Sequence, residues 1–276
     1  MSSSPAARTV TARLGRALLT LFVVAFFVFL LAPIAIVVLF SFVDAAFVRF
    51  PIESFSLRWY VRMIEYKPFL SSLGFSLVVA IVSGLIALII SLPAALSLAR
   101  SRGALAEMVV TLLLAPLSMP MILLGVALLY YLSWMGLGIS VTSLLIGHVV
   151  VSIPYVTRTI IAVYQGASPS FEESARILGA TRWQVFRHVT LPLIRPGIIS
   201  GLLFSMLVSL DNLPISLFFA GSTTNTLPVV MLAYQQNQFD PAIGAISTVQ
   251  LLVAVVTLLL IQRFAGLKNL VSQNVR

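Results

Sequence analysis

The chain contains no cysteine, two lysines and two histidines, and Asp, Glu, Lys and Arg together make up only 9% of its 276 residues. Without cysteine there is no disulfide, no thiolate nucleophile and no cysteine-based metal site. Lys67 and Lys268 stand outside any Gly-x-x-x-x-Gly-Lys-Ser/Thr context, so the chain lacks a phosphate-cradling loop of that kind. Neither His-Glu-x-x-His nor Gly-x-Ser-x-Gly occurs, which removes the commonest zinc-hydrolase and serine-hydrolase signatures. His148 and His188 are too few and too distant in sequence to suggest a metal site, and His148 reads as a satisfied packing residue. An intramembrane enzyme would need a nucleophile–base or metal constellation, and none is visible.

What remains is apolar. Hydrophobic residues make up 60% of the chain, whereas soluble domains carry roughly 25% charged residues. Several uncharged runs reach the ~20 residues that cross a bilayer as a helix. They are solid blocks, without the alternation of a β-barrel strand. The fold class is therefore all-α, a polytopic integral membrane protein. Uncharged runs place six helices at about 17–43, 70–99, 108–133, 139–163, 197–220 and 242–263. The first is too long for a signal-peptide core of about 7–15 residues and has no small-residue cleavage site after it, so it reads as a retained span. The run from Met108 to Thr157 accommodates two spans, with a turn at Ser133-Trp134-Met135-Gly136-Leu137-Gly138.

The net charge of +9 is a matter of topology. With both termini on one side, that side collects Arg8, Arg13, Arg16, Arg100, Arg102, Arg158, Arg176, Arg182, Arg187, Arg195, Arg263, Lys268 and Arg276. The other side keeps Arg49, Arg58, Arg62 and Lys67, mixed with Asp44, Glu53 and Glu65. The positive-inside rule puts the termini, the 100–107 loop and the 164–196 insert in the cytoplasm, facing anionic lipid. No single-face basic domain suggests nucleic acid. In the first outer loop, Trp59, Tyr60 and Met63 share a helical face. That segment reads as an interfacial helix anchored by aromatics, or as a docking surface for an external partner.

The insert is the part unlike its surroundings. Ser170 with Glu173, and Thr181 with Gln184, are two capping-box spacings separated by Gly179. They predict two short amphipathic helices, the second ended by Leu191-Pro192, with Pro196-Gly197 opening the fifth span. Phe171, Leu178, Trp183 and Phe186 suit either a helix pair lying in the lipid interface or one docked in a protein groove.

Glu173-Ser174-Ala175, three residues, Gly179, nine residues, then Val189-Thr190-Leu191-Pro192 resembles the EAA motif of bacterial ABC importer permeases. In that family it reads Glu-Ala-Ala, Gly, Ile-x-Leu-Pro at this spacing, between the fourth and fifth helices. Ser174 and Val189 are size-compatible departures. The resemblance covers about 68–264, a type-1 (MetI-like) permease domain, after 1–67 (tail, first span and outer loop) and before a cytoplasmic tail 265–276. It implies a coupling insert at 168–192, with Glu172, Glu173, Ala175, Gly179, Leu191 and Pro192 as the ATPase-coupling residues. It also implies a second homologous permease subunit, two cytoplasmic ATPase subunits and an extracytoplasmic solute-binding protein. ATP and Mg would be bound by the ATPase, leaving this chain without a cofactor.

Ser209-Leu210-Asp211-Asn212-Leu213-Pro214, Thr226-Leu227-Pro228-Val229 and Asp240-Pro241 resemble the spermidine/putrescine permease subfamily. This implies a polyamine or related cationic solute; related permeases move thiamine, iron, phosphonates and opines. Asp211 is the one acidic residue inside a predicted span, and such carboxylates face a cavity or a partner. It reads as lining the solute path or as a tie to a neighbouring helix. Asn212 stands where polyamine permeases often carry a second acid. Asn212 and Tyr234 complete the expected path residues. A self-sufficient secondary transporter would show an internal repeat with paired broken helices and several intramembrane ionisable groups, and neither is found.

Overall fold

The computed structural model describes residues 5–45, 51–52, 54–238 and 240–265. Arg49, Glu53, Lys268 and Arg276, with the tail from 266 onward, lie outside the described residues. Among the described residues twelve α-helices follow one another: α1 Pro5–Phe40, α2 Arg58–Glu65, α3 Lys67–Arg100, α4 Ala104–Leu114, α5 Met121–Trp134, α6 Val141–Gly166, α7 Ser170–Ile177, α8 Arg182–Val185, α9 Leu191–Leu210, α10 Leu213–Phe218, α11 Leu227–Asn237 and α12 Ala242–Ala265. Within the described residues five stretches are long and apolar enough to span a membrane, and the bent pair α4–α5 makes a sixth if counted as one span. The described chain forms two compact units, one from residues 1–65 with 239–250 and one from 66–238 with 251–276.

In the first unit, α2 turns Trp59 inward, and its indole N–H donates to the Val43 carbonyl at 2.7 Å. The Tyr60 hydroxyl is 2.8 Å from that of Ser41. The face expected for Trp59, Tyr60 and Met63 exists, and within this unit Trp59 serves the loop's own packing.

The second unit is built on α3, α6 and α9, which pack against one another. Lipid tails are as apolar as leucine, so helix association in a bilayer depends on close backbone approach and polar contacts. The sequence of α9 supplies that approach with Gly197, Gly201, Ser205 and Ser209, each four residues after the last and all buried. A four-residue step on a 3.6-residue helix drifts about 40°, so the small stripe passes from one neighbour to the next. A Cβ on Gly197 would lie 3.0 Å from Val163, and one on Gly201 3.1 Å from the Val156 Cα, both on α6. Farther along, Ser205 abuts Gly84 of α3, and the Ser209 hydroxyl is 3.3 Å from that of Ser83.

Prolines account for three departures from the expected spans. The 108–133 span is broken by 102° between α4 and α5. Pro116 lies in a 3-10 turn, Ala115–Leu117, and Pro120 is the extended residue before α5. A proline disfavours helical geometry in the residue before it, and hydropathy does not register that break. The turn after Trp134 is as expected, with Gly136 and Gly138 at positive φ and Ser140 capping α6 through the Ser143 amide.

The fifth span begins earlier than Pro196 and ends before 220. Leu191-Pro192 does not terminate the insert's second helix: a π-helical turn, Phe186–Thr190, carries it into α9, and the Leu191 amide bonds to the Phe186 carbonyl. The wider turn absorbs the missing N–H and the ring bulk of Pro192. The result is a continuous helical segment from Arg182 to Leu210. It stops where Pro214 can neither donate to nor sit beside the Leu210 carbonyl, and where the Asn212 side chain offers a rival cap to the Ile215 amide at 3.0 Å.

The α6–α9 contact is testable by thermal unfolding of the detergent-purified protein. Gly201→Leu is expected to destabilise it by roughly 1–3 kcal/mol through overpacking. Gly74→Ala, on an exposed helical position with nothing within 4 Å, stays within about 1 kcal/mol of wild type. An unshifted Gly201→Leu melting curve would show that the helices do not need this approach.

Candidate functional site

The insert is a short helix, a turn and a second helix. α7 does not use the Ser170–Glu173 box. Pro169 already has helical dihedrals (φ −59°, ψ −25°) and precedes the helix without a side-chain cap. Ser170 therefore sits inside the first turn, and its hydroxyl pairs with that of Ser168 at 2.8 Å. The second box forms completely: the Thr181 hydroxyl accepts from the Gln184 amide at 3.3 Å, and the Gln184 side chain accepts from the Thr181 amide at 2.8 Å.

Between them Gly179 takes φ +86°. Its amide donates to the Arg176 carbonyl, and the Ala180 amide to the Ala175 carbonyl, both at 3.0 Å. This pair of bonds is the Schellman ending of a helix and needs a left-handed residue at the turn. No atom lies within 4 Å of where a Gly179 Cβ would be, so backbone conformation, with no steric contact, makes glycine the suitable residue.

The insert's outer face is apolar: Ile177 and Leu178 are 85% and 87% exposed, and Phe171 and Trp183 are also exposed. Glu173 lies on the exposed side, while Glu172, one residue earlier, is buried. Ala175, Leu191 and Pro192 are half-buried, half-buried and exposed respectively. Glu172 Oε1 accepts the Tyr164 hydroxyl at 2.8 Å and the Thr190 hydroxyl. The Arg100 guanidinium lies 4.2 Å over the Tyr164 ring and donates to the Ala167 carbonyl at 3.0 Å. Sequence inspection missed Arg100, Tyr164 and Thr190, because they come from three elements with no shared spacing.

At the far end of α9, Asp211 does not lie inside the helical span, as the sequence suggests, but at its end. It is the exposed residue closing α9 (φ −100°, ψ 11°), immediately before the break. A carboxylate at a helix C-terminus opposes the macrodipole by about 0.3–1 kcal/mol, so local helix electrostatics give no reason for it. Asn212 is buried and caps α10. Two glycines make room for α10: Cβ atoms would fall 2.4 Å from Phe218 at Gly125 and 2.8 Å from Ile215 at Gly147.

His148 joins both sides of the break. Its Nδ1 is 2.7 Å from the Ser209 hydroxyl in α9, and its Nε2 is 3.2 Å from that of Ser216 in α10. The expected packing role for His148 is thus borne out, with both ring nitrogens occupied. Tyr234 is buried on α11, its ring 5.2 Å from that of Tyr66 and 4.8 Å from that of Phe69. The structure does not bring Tyr234 out to the surface, whereas the neighbouring Gln235 and Gln236 are exposed. Among the described residues no cluster of His, Asp or Glu is arranged to hold a metal.

Residues 89–268 match the family model described as binding-protein-dependent transport system inner membrane component. The chain is 33% identical over 230 residues to the putrescine transport system permease protein PotI of Escherichia coli K12, spanning 80% of this chain and 81% of that protein. It is 28% identical over 217 residues to the spermidine/putrescine permease PotC of Haemophilus influenzae, spanning 79% and 84%. It is 32% identical over 234 residues to the molybdenum transport permease ModB of Mycobacterium bovis, spanning 78% and 88%. In fold it resembles a chain of a bacterial ABC transporter that imports the acidic polysaccharide alginate, with a TM-score of 0.67, 18% identity and 99% coverage of both. This chain therefore belongs to the binding-protein-dependent transport system inner membrane components, as a MetI-like, multi-pass ABC importer permease that leaves ATP hydrolysis to separate subunits.

Proposed function

We propose that the chain forms half of the translocation path for a polyamine such as putrescine or spermidine, or a closely related cationic solute. The observation that carries this is the 33% identity over most of the chain to a permease named for putrescine. An exposed carboxylate, Asp211, beside the break after α9 supports it, because a cationic solute is favoured by a fixed negative charge along its path. The relative named for molybdenum, nearly as similar at 32%, favours a second reading in which the path serves another small solute.

In this reading the permease pairs with a second homologous permease subunit, two cytoplasmic ATPase subunits and an extracytoplasmic solute-binding protein. Both termini and the 168–192 insert face the cytoplasm, and 68–264 is the working permease domain. The exposed apolar face around Leu178 and Trp183 seats in a groove of the ATPase, where Glu173 meets a basic residue and Gly179 sets the angle between α7 and α8. Closure of the ATPase dimer moves the insert and switches the permeases between inward- and outward-open states.

Three outcomes are expected. Glu173→Lys abolishes co-purification of the ATPase with the tagged permease; a complex that survives removes Glu173 from the contact. Gly179→Val, forced into a left-handed conformation that β-branched residues avoid, leaves ATP hydrolysis running while uptake falls; coupled activity would count against this geometry. Asp211→Asn lowers uptake of radiolabelled putrescine by about tenfold, the effect of losing one charge-assisted hydrogen bond, with complex assembly intact. Unchanged uptake kinetics would remove Asp211 from the path, and absence of wild-type putrescine uptake would turn the assignment to another solute.

A further inference from the structure

Among the described residues, Glu172 is the only Asp, Glu, Lys or Arg whose side chain is buried. It belongs to the insert, yet it points away from the exposed face that carries Glu173, Ile177 and Leu178. Both its hydrogen bonds fall on one oxygen: Oε1 accepts from Tyr164 near the end of α6 and from Thr190 in the π-helical turn that opens α9. Tyr164 is itself covered by Arg100, the last residue of α3, which reaches on to the carbonyl of Ala167. One carboxylate therefore links α7 to the ends of two spans directly and to a third through Tyr164.

A buried carboxylate is costly unless donors surround it, and an apolar side chain in the same place would often be at least as stabilising. What the carboxylate adds is geometry, because hydrogen bonds fix direction and separation while apolar contacts slide. We propose that Glu172 is a positioning residue: it fastens the insert to α6 and α9, so that displacement of the insert moves the spans and is not taken up in the joint. This rests on the reading of the insert as the ATPase-coupling element. It assigns Glu172 and Glu173 opposite duties, one gripping the spans and the other the ATPase.

The chain has no native cysteine, so a single reporter can be introduced at Leu217, an exposed position on α10 beyond the break. In the complex that co-purifies with tagged permease, labelling of Leu217→Cys by a maleimide is timed without nucleotide and in the vanadate-trapped state. The nucleotide-dependent change in rate seen in the wild-type background is expected to shrink about tenfold in Glu172→Ala, the scale of one lost buried charged hydrogen bond, while ATP hydrolysis and co-purification persist. Glu172→Gln keeps an Oε1 acceptor and is expected to restore the change to within about twofold. Should Glu172→Ala not accumulate, Tyr164→Phe, which removes one donor, carries the same test. An undiminished nucleotide response in Glu172→Ala or Tyr164→Phe overturns the proposal, as does detachment of the ATPase by Glu172→Ala, which would make Glu172 part of the docking face. Failure of the underlying reading looks different: no nucleotide response even with Glu172 intact, and an ATPase that stays bound in Glu173→Lys.

Discussion

The second unit depends on how closely α9 approaches its neighbours. In lipid no hydrophobic force draws helices together, so the contact rests on small residues, van der Waals packing and buried polar bonds. Gly197 and Gly201 bring α9 against the backbone of α6, and Ser205 and Ser209 bring it to α3. A leucine-lined α9 would be as apolar but would stand off by the depth of its side chains.

One helical segment connects the insert to the Asp211 end of α9. The helical segment from Arg182 to Leu210 has 29 residues, about 40 Å at a helical rise. At one end it is part of the insert, and at the other it stops at Asp211. The π-helical turn keeps the segment continuous past Pro192, and His148 bonds across the break at the far end. No loop interrupts the chain between the second helix of the insert and the end of α9 at Leu210. The segment is held along one face by α6 and α3, and hydrogen bonds from Thr190 to Glu172 and between Ser209 and His148 tie it down near both ends.

Proline shows why some of this was legible in the sequence and some was not. Pro192 is expected to end a helix and does not; Pro214 ends one inside the predicted fifth span; Pro116 and Pro120 lie at the 102° break in the third. The residue type is the same, but the outcome depends on what receives the freed backbone groups. A π-turn absorbs the loss at Pro192, and a competing side-chain cap at Asn212 decides it at Pro214. By contrast, Gly179 and the Thr181–Gln184 box formed as read, since each is satisfied within a few residues of chain.

By itself the sequence determined the apolar spans, the turn after Trp134, the helix–Gly–helix insert and the absence of a phosphate-cradling loop. These are local or additive properties: hydropathy sums along a run, and caps close over three or four residues. Only the tertiary structure decided which of two adjacent glutamates faces inward, which hydroxyls donate to it, and that Tyr234 is buried against Tyr66 and Phe69. Side chains one residue apart on a helix point about 100° apart. The choice between Glu172 and Glu173 was therefore made by what lay alongside, and Tyr164, Arg100 and Thr190 came there from three other parts of the chain.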